Sequence, residues 1–297
     1  MDWNAEQYHR VSEPQFEWGL QVLARVASLP LRGDEMVLDA GCGTGRLTTH
    51  LAALFPRGRV VATDLSAPML RTFAKSLNNG RGRASMQSEA HGVAASGAKH
   101  HPTKRSDHSI SESPDRPVSG PSQLSLVLSD FQALPFAGSF DIVFSTAAFH
   151  WAPNHQAMFS SIFQALKPHG RLIAQCGGGT NLSGIREREQ ILMLDPRFAP
   201  FFREWRPPWN YADVPTTRDR LLDAGFVDTE VWLENAPVTM PDRETFRAFA
   251  ETVIERTQIA LIPEPALRNE YLDNFVDLVA GDYTFDYVRL NINAQRG

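Results

Sequence analysis

The sequence is poor in cysteine, which excludes two classes of protein at the outset. Only Cys42 and Cys176 occur in 297 residues, and they lie far apart along the chain. Neither has a second cysteine or a histidine at the spacing of metal ligands. A small disulfide-stapled scaffold and a cysteine-based zinc site are therefore excluded. We expect two free thiols in a reducing compartment and no bound metal.

Long apolar runs and a basic surplus are also missing. No stretch reaches the ~18 to 20 apolar residues that a membrane-spanning helix needs. The formal net charge is −5, with 29 Lys and Arg against 34 Asp and Glu, whereas general nucleic-acid binders carry a basic excess. The first residues are polar and acidic, unlike a signal peptide. We expect a cytoplasmic protein, a monomer or weak homodimer, without membrane or nucleic-acid partners.

One internal segment lacks the residues that build a core. Between Asn78 and Gln123 there is no Phe, Trp, Tyr or Leu, and Ser, Gly, His, Pro and Arg dominate. Such a composition buries too little apolar area to offset the loss of chain entropy on folding. We interpret residues 78–123 as a disordered insertion in a loop.

On both sides of this segment, apolar strand-like runs alternate with segments of helical periodicity. Hydrophobic residues make up 42% of the chain, enough for one large domain. Strands are predicted over 36–38, 60–64, 124–130, 140–145, 171–176, 226–233 and 287–294, and helices over 15–29, 46–55, 68–77, 155–166, 218–224, 242–261 and 265–279.

The alternation predicts an α/β fold with a doubly wound, mostly parallel seven-stranded sheet and helices on both faces. The final strand is expected to be antiparallel, and a helical cap is added to the sheet. Residues 1–33 are interpreted as an N-terminal helical cap segment and 34–297 as the main domain. Within that domain, residues from about 180 to 215 are expected to cover the site.

A glycine-rich turn follows the first predicted strand. The residues Asp39-Ala40-Gly41-Cys42-Gly43-Thr44-Gly45 lead directly into a predicted helix. Strand, glycine turn and helix form a nucleotide-binding turn, because glycine allows a ligand to approach the backbone closely. The dinucleotide fingerprint Gly-x-Gly-x-x-Gly needs a third glycine where this chain has Arg46, counted from Gly41, or Thr48, counted from Gly43. The turn therefore fits a pyrophosphate poorly.

This turn resembles the first motif of the class I S-adenosylmethionine-dependent methyltransferases, an acidic residue followed by Gly-x-Gly-x-Gly. The resemblance implies that the turn holds the methionine part of S-adenosylmethionine. It also implies that Asp64, at the end of the second strand, binds the ribose hydroxyls. Asp130, after the third strand, is implied to bind the adenine amino group, and the backbone N–H of the next residue a ring nitrogen. Segments 139–145 and 166–172 are similar to the family's fourth and fifth strands.

The complete set of cofactor-binding residues implied by this resemblance comprises Asp39, Gly41, Cys42, Gly43, Gly45, Asp64, Leu65, Met69, Asp130, Phe131 and Ser145.

The end of the fourth strand indicates the acceptor class. The Asn/Asp-Pro-Pro-aromatic motif of amide and adenine N-methyltransferases is absent there, and His150-Trp151 follows the strand instead. This pair resembles trans-aconitate methyltransferase-like small-molecule enzymes, as does the opening Trp-Asn-x-x-x-Tyr pattern that ends at Tyr8. The predicted catalytic residues are therefore His150, Trp151 and Tyr8. His150 either orients an acceptor carboxylate or acts as a base for a hydroxyl.

The predicted cap combines aromatic and basic residues that suit an apolar acceptor with an anionic group. Arginine binds a carboxylate in a bidentate manner. The residues concerned are Arg203, Trp205, Arg206, Trp209 and Tyr211, and packing of the aromatic residues within the cap explains them equally well.

The resulting hypothesis is methyl transfer from S-adenosylmethionine to an oxygen of a carboxylate or hydroxyl on a small-molecule acceptor. Two alternatives remain open. One is a catalytically silent regulatory protein that binds the cofactor, and the other is a nicotinamide-dependent oxidoreductase, which the position of Arg46 disfavours.

Overall fold

The computed structural model describes residues 13–89, 124–279 and 281–297, and within 79–89 it describes the backbone alone. The strands are β1 (Met36–Ala40), β2 (Arg59–Asp64), β3 (Leu124–Leu128), β4 (Phe140–Thr146), β5 (Leu166–Gly177), β6 (Phe226–Asn235), β7 (Val238–Thr239), β8 (Thr284–Phe285) and β9 (Val288–Arg296). The helices are α1 (Glu13–Ala27), α2 (Arg46–Ala53), α3 (Ala67–Glu89), α4 (His155–Ala165), α5 (Ser183–Leu194), α6 (Ala199–Phe202), α7 (Val214–Asp223), α8 (Arg243–Phe249), α9 (Arg256–Ile259) and α10 (Pro265–Val279).

Seven strands form one sheet in the order β3-β2-β1-β4-β5-β9-β6. Neighbouring strands from β3 to β5 are parallel, and β9 is antiparallel to both β5 and β6. The predicted doubly wound sheet with an antiparallel last strand is confirmed. The strand order reverses between β1 and β4, and ligands of such sheets bind beyond the carboxyl ends of the strands at this reversal.

Both faces of the sheet are covered, as its apolar strands require. Leu38 and Val143 belong to the core beneath α4 and α7. Val37 and Ile142, one position earlier on the same strands, belong to the core beneath α1 and α2. Because successive side chains of a strand point to opposite faces, the central strands contribute to both cores. Helix α1 contributes Trp18, Val22 and Val26 at spacings of four residues, which places one of its faces against the protein interior.

Helix α3 continues past the predicted end at Leu77 and reaches Glu89. It thereby includes the first part of the segment interpreted as a disordered insertion. This part contains Arg, Ala, Met and Gln, which have good helix propensity, and it has no proline. The remainder of the predicted insertion, residues 90–123, lies outside the described residues, as do residues 1–12 of the predicted N-terminal segment.

The cap is larger than the predicted 180–215. Residues of α5 and α6 share a core with residues of α8, α10 and β8, which enter the chain between β6 and β9. The rings of Phe246 and Phe285 stack at the centre of this core with their centroids 4.3 Å apart. The sequence places these two parts of the cap on opposite sides of β6, and only packing shows that they form one unit.

The helix predicted over 242–261 is interrupted. Helix α8 is followed by a π-helical turn, Ala250–Ile254, and then by α9. The Glu255 N–H donates to the Ala250 carbonyl at 2.8 Å, which closes the wider turn. The β-branched run Thr252-Val253-Ile254 lowers helix propensity at this point. The interruption matters for the site, because it precedes Arg256.

Replacement of Phe246 tests the shared core of the cap. Phe246 is fully buried, so Phe246→Ala should lower the free energy of unfolding by about 3 to 5 kcal/mol through lost burial and a residual cavity. Urea denaturation measures the change. Leu194→Ala is the control, because Leu194 is 80% exposed and should lose far less. Equal losses at the two positions would contradict the assignment of this core.

Candidate active site

Glycines 41, 43 and 45 all adopt positive φ angles, 83°, 56° and 77°. A Cβ on Gly41 would lie 2.4 Å from the Ala148 Cβ, and a Cβ on Gly45 would lie 2.2 Å from the Phe73 ring. Gly43 has open space around its Cβ position, within the cavity wall described below. Only glycine combines this backbone path with such close neighbours.

The carboxylate of Asp64 joins this turn to the end of β2. The Gly43 N–H donates to Asp64 Oδ2 at 2.8 Å, and the Ser66 N–H donates to Asp64 Oδ1 at 2.8 Å. Burial raises the pKa of Asp64, and the bonds from these backbone N–H groups oppose that rise. The carboxyl ends of β1 and β2 are thus held together by one side chain.

Asp39 is the acidic residue of the glycine-rich motif, and it is buried. Its side chain lies beneath the turn, where Thr48 Oγ1 donates to Asp39 Oδ2 at 2.6 Å. Burial raises the pKa of Asp39 to about 7, with a further contribution from the charge of Asp64. The hydrogen bond from Thr48 acts in the opposite direction and stabilises the carboxylate.

A cavity of about 520 Å³ lies where the strand order reverses. This volume falls within the usual range of small-molecule sites. Ten of the residues predicted from the sequence line it: Asp39, Gly41, Cys42, Gly43, Asp64, Leu65, Met69, Asp130, Phe131 and Trp151. They lie at the carboxyl ends of β1 and β2 and in the segments after β1, β2, β3 and β4, so the topology brings together residues distant in sequence.

Four predicted residues do not line this cavity. Gly45 begins α2 and is packed against Phe73. Ser145 is buried, and its Oγ donates to the Ala40 carbonyl at 2.7 Å, which links β4 to β1. His150 lines a second cavity instead. Tyr8 lies outside the described residues.

Helix α1 supplies wall residues that the sequence reasoning missed. Gln15 and Phe16 line the large cavity, and the Arg46 guanidinium, another wall residue, lies over the Phe16 ring at 4.3 Å from its centroid. The Arg46 side chain also pairs with Glu13 at 2.9 Å. Periodicity identified the packing face of α1 but carried no signal that its first turn borders the site.

A second cavity, of about 60 Å³, lies between the sheet and the cap. It shares Gln15, Ala147 and Trp151 with the first. The predicted aromatic residues Trp209 and Tyr211 line it. The two cavities therefore meet at a common wall at the end of β4.

The basic residues of the second cavity differ from those expected. Arg203 and Arg206 are exposed on the cap surface and do not line it. The guanidinium groups in its wall belong to Arg186, Arg256 and Arg289. These residues lie on α5, α9 and β9, which only the tertiary structure brings together.

His150 is buried beside Trp151 and Tyr211, with ring centroids 5.1 and 5.8 Å away. The Gly177 N–H donates to His150 Nδ1 at 3.3 Å. Burial lowers the pKa of His150 well below 6.5, with further contributions from Arg289 and His155. The ring is therefore neutral at pH 7, and because Nδ1 accepts a hydrogen bond, its proton is on Nε2.

Neither cysteine is activated. Burial raises the pKa of Cys176 to about 12, and burial together with Asp39 and Asp64 raises that of Cys42 far above its ordinary value. Both are free thiols, as predicted. A thiol with a raised pKa is a poor nucleophile at neutral pH, so a cysteine mechanism has no support here.

Within 13–89, 124–279 and 281–297, no group of three or more His, Cys, Asp and Glu residues is placed to hold a metal ion. In the same ranges, every helix is too short or too polar to cross a membrane.

Comparison with known proteins places this geometry in a family. Two family models described as "Methyltransferase domain" match residues 37–100 and 106–174. A trans-aconitate 2-methyltransferase of Deinococcus radiodurans is 30% identical over 59% of this chain and 49% of its own length. The two domain matches and this relative support the assignment of residues 37–174 to a class I S-adenosylmethionine-dependent methyltransferase.

Further relatives agree with this family. A malonyl-[acyl-carrier protein] O-methyltransferase of Legionella pneumophila is 26% identical over 57% of this chain and 45% of its own length. The chain spans about half the length of most of the curated relatives it matches. A Haemonchus contortus phosphoethanolamine N-methyltransferase shares the fold, with a TM-score of 0.56 and 17% identity over 98% of this chain and 56% of its own.

The protonation state of His150 is testable by NMR. We expect the His150 ring to remain neutral, with its proton on Nε2, from pH 8 down to below pH 6, because the charged form would be buried near Arg289. Titration of ¹⁵N-labelled histidine side chains measures this, and the spectrum of His150→Gln assigns the signal.

The lowered pKa of His150 also makes the stability of the fold depend on pH. Below pH 6.5 the unfolded chain protonates this histidine and the folded chain does not, so acidification destabilises the fold. A His150 signal that titrates near pH 6.5 would contradict the assigned environment.

Proposed function

We propose that this protein transfers a methyl group from S-adenosylmethionine to an oxygen of a small-molecule acceptor. The observation that carries the proposal is the large cavity at the strand reversal, lined by the glycine turn, Asp64 and Asp130. Its volume and mixed polar and apolar wall suit a nucleoside-containing ligand. Bound S-adenosylmethionine supplies an electrophilic methyl group, and the chain's task is binding, alignment and exclusion of water.

Asp64 is assigned to the ribose hydroxyls. Each of its oxygens accepts one backbone N–H, and a carboxylate oxygen has about two lone-pair sites. The Leu65 N–H is a further backbone donor to this carboxylate, so at least one acceptor position remains for a hydroxyl donor. The same backbone bonds hold the carboxylate in place, so little side-chain entropy is lost when the ligand binds.

The adenine ring is assigned to the space between Leu65 and Phe131. Leu65 is 70% exposed although it lines the cavity, and such an apolar surface favours a flat aromatic ligand. Asp130 lies at the same end, where its Oδ1 accepts the Gln132 N–H at 2.8 Å. Its Oδ2 is bonded to the Gln132 side-chain amide at 3.1 Å. That amide, in a part-buried loop of the cavity wall, is the group an adenine amino group would replace.

The methionine end of the cofactor then lies at the glycine turn, close to the wall shared by the two cavities. Gln15, Ala147 and Trp151 form that wall, so an acceptor in the second cavity approaches the reactive carbon there. Trp151 lies between the two cavities and excludes water from both. A water-poor site favours methyl transfer from the sulfonium to an anionic acceptor, because the two charges are neutralised in that displacement.

His150 acts in this proposal as a hydrogen-bond donor to the acceptor and not as a base. Its Nδ1 accepts the Gly177 N–H, and its depressed pKa leaves it a weak base. An acceptor that is already anionic at neutral pH needs no base, which favours a carboxylate over a hydroxyl. Trans-aconitate, the acceptor in the names of several relatives, is a carboxylate.

A second candidate function has one observation in its favour. The second cavity, at about 60 Å³, is small for a whole acceptor. A regulatory protein that binds S-adenosylmethionine without methylating a substrate would have such a closed acceptor space. Cofactor binding is common to both candidates, and turnover separates them.

Replacement of Asp64 tests the cofactor site. Asp64→Ala should weaken binding of S-adenosylhomocysteine by about 1.5 to 3 kcal/mol, because hydrogen bonds to a charged group are lost. Isothermal titration calorimetry measures the affinity. Asp219→Ala, at an exposed position of α7, is the matched control and should bind like the unaltered chain. If the unaltered chain does not bind this ligand at all, the proposed cofactor is wrong.

An activity screen tests the acceptor class. Incubation with methyl-labelled S-adenosylmethionine and panels of carboxylic acids and phenols should label one or more carboxylates. With the best acceptor, His150→Gln should retain more activity than His150→Phe, because an amide still donates a hydrogen bond. Labelling of phenols only, with a rate that follows a base of pKa near 6.5, would contradict the donor role. Cofactor binding without any turnover would favour the regulatory candidate.

A further inference from the structure

Gln15, in the first turn of α1, borders both cavities. Together with Ala147 and Trp151 it forms the wall that the large cavity and the second cavity share. The Ala147 side chain has no polar atom, and the Trp151 indole donates a hydrogen bond but does not accept one. Within the described part of the chain, the amide of Gln15 is therefore the one side-chain acceptor of this shared wall.

The amide of Gln15 is hydrogen-bonded at one end only. Its Nε2 donates to the Tyr287 hydroxyl oxygen at 3.5 Å. Its Oε1 is buried and has no hydrogen-bond partner among the residues that the structure describes. A buried acceptor without a partner is unfavourable, so a ligand group that donates a hydrogen bond to it is bound strongly. The last torsion of a Gln side chain is broad, and the oxygen can therefore turn toward the cavity within a favoured conformation.

Helix α1 is packed against α2, the helix that follows the glycine turn. The Phe16 and His50 rings meet edge to face with their centroids 5.6 Å apart. At Gly19 the two helices lie so close together that a Cβ would clash with the Leu47 side chain. Because α2 begins at the glycine turn, this packing places Gln15 at the glycine end of the large cavity, where the methionine part of the cofactor is assigned.

The chemistry of Oε1 identifies the ligand group that it can bind. An amide oxygen accepts a hydrogen bond from an N–H or O–H group, and a carboxylate has no hydrogen to donate. A carboxylate acceptor is thus not its partner, whereas the methionine part of S-adenosylmethionine carries an α-ammonium group with three N–H donors. The composition of the wall agrees with a cationic group. Among the described residues that line the large cavity, three are Asp, and the one basic residue, Arg46, is paired with Glu13.

We propose that Gln15 binds the α-ammonium group of the cofactor through Oε1 and so selects for a ligand that carries this group. The inference rests on the proposed function, because it requires S-adenosylmethionine in the large cavity. A hydrogen bond from a charged donor is stronger than one between neutral groups. The bond from Nε2 to Tyr287 holds the other end of the amide, so Gln15 positions the amino-acid part of the cofactor beside the shared wall.

Two ligands that differ only in the α-amino group test the proposal in the unaltered chain. S-adenosylhomocysteine carries this group, and its deamino analogue has a hydrogen atom in its place. Isothermal titration calorimetry at pH 7 should give a Kd roughly tenfold higher for the analogue, because a hydrogen bond from a charged group is lost. Equal affinities would show that the amino group contributes nothing to binding, and would overturn the proposal.

Gln15→Met removes the amide and keeps the length of the side chain. It should raise the Kd of S-adenosylhomocysteine roughly tenfold and that of the deamino analogue by less than about twofold. Gln21→Met is the matched control, since it makes the same substitution at an exposed position of α1, and it should change neither Kd. Equal losses for the two ligands in Gln15→Met would mean that Gln15 acts only through the packing of α1, and the proposal would be wrong.

Gln15→Glu tests which end of the amide meets the ligand. A carboxylate accepts a hydrogen bond from an ammonium group more strongly than an amide oxygen does, so the Kd of S-adenosylhomocysteine should stay the same or fall. If the amide N–H group instead donated to the carboxylate of the ligand, this substitution would weaken the binding of both ligands severalfold. That result would overturn the assignment to Oε1.

The two ligands also separate this proposal from the proposed function. If the unaltered chain binds S-adenosylhomocysteine but does not distinguish it from the deamino analogue, the cofactor site stands and the role of Gln15 is wrong. If the unaltered chain binds neither ligand, the proposed cofactor is wrong, and the assignment of Gln15 fails with it.

Discussion

The hydrogen bond from the Gly43 N–H to the Asp64 carboxylate is the contact on which the arrangement of the site depends. It joins the turn after β1 to the end of β2, at the place where the strand order of the sheet reverses. The bond forms only if the turn follows the left-handed backbone path of its three glycines. Ala148, just after β4, then packs closely against Gly41, and this contact closes one side of the large cavity. Local backbone stereochemistry thus sets the shape of the proposed cofactor site.

The acceptor side depends on a different kind of constraint, which is charge in an enclosed space. Arg186 and Arg289 keep their positions by stacking on Trp209 and Trp18 and by bonds to buried partners. Stacking holds a guanidinium without cancelling its charge. His150 belongs to the same environment, since the field of Arg289 contributes to its lowered pKa.

The sequence predicted most of the sheet and the cofactor side because both depend on short-range patterns. Apolar runs located all seven sheet strands to within a few residues, and ten of the predicted residues lie in the wall of the large cavity. These residues lie at or shortly after the carboxyl ends of β1, β2, β3 and β4, and the carboxyl ends of parallel strands meet at one edge. Ser145 lies near the end of β4 as well, but its side chain is bonded to the Ala40 carbonyl and does not line the large cavity.

The second part of the cap, between β6 and β9, escaped prediction because it is distant in sequence from the predicted part. Nothing local indicates that the segment after β5 and the segment before β9 share one core, or that a π-helical turn interrupts 242–261. Arg203 and Arg206 were attractive candidates from their aromatic neighbours, but they are exposed, and Arg186, Arg256 and Arg289 line the cavity instead. The amino-acid sequence was sufficient to predict the parallel strands, the glycine turn and the carboxylates beside it, because hydrophobic periodicity and backbone stereochemistry are local properties. Which arginines surround the acceptor space was decided only by tertiary packing, because that choice depends on which faces of α5, α9 and β9 are buried together.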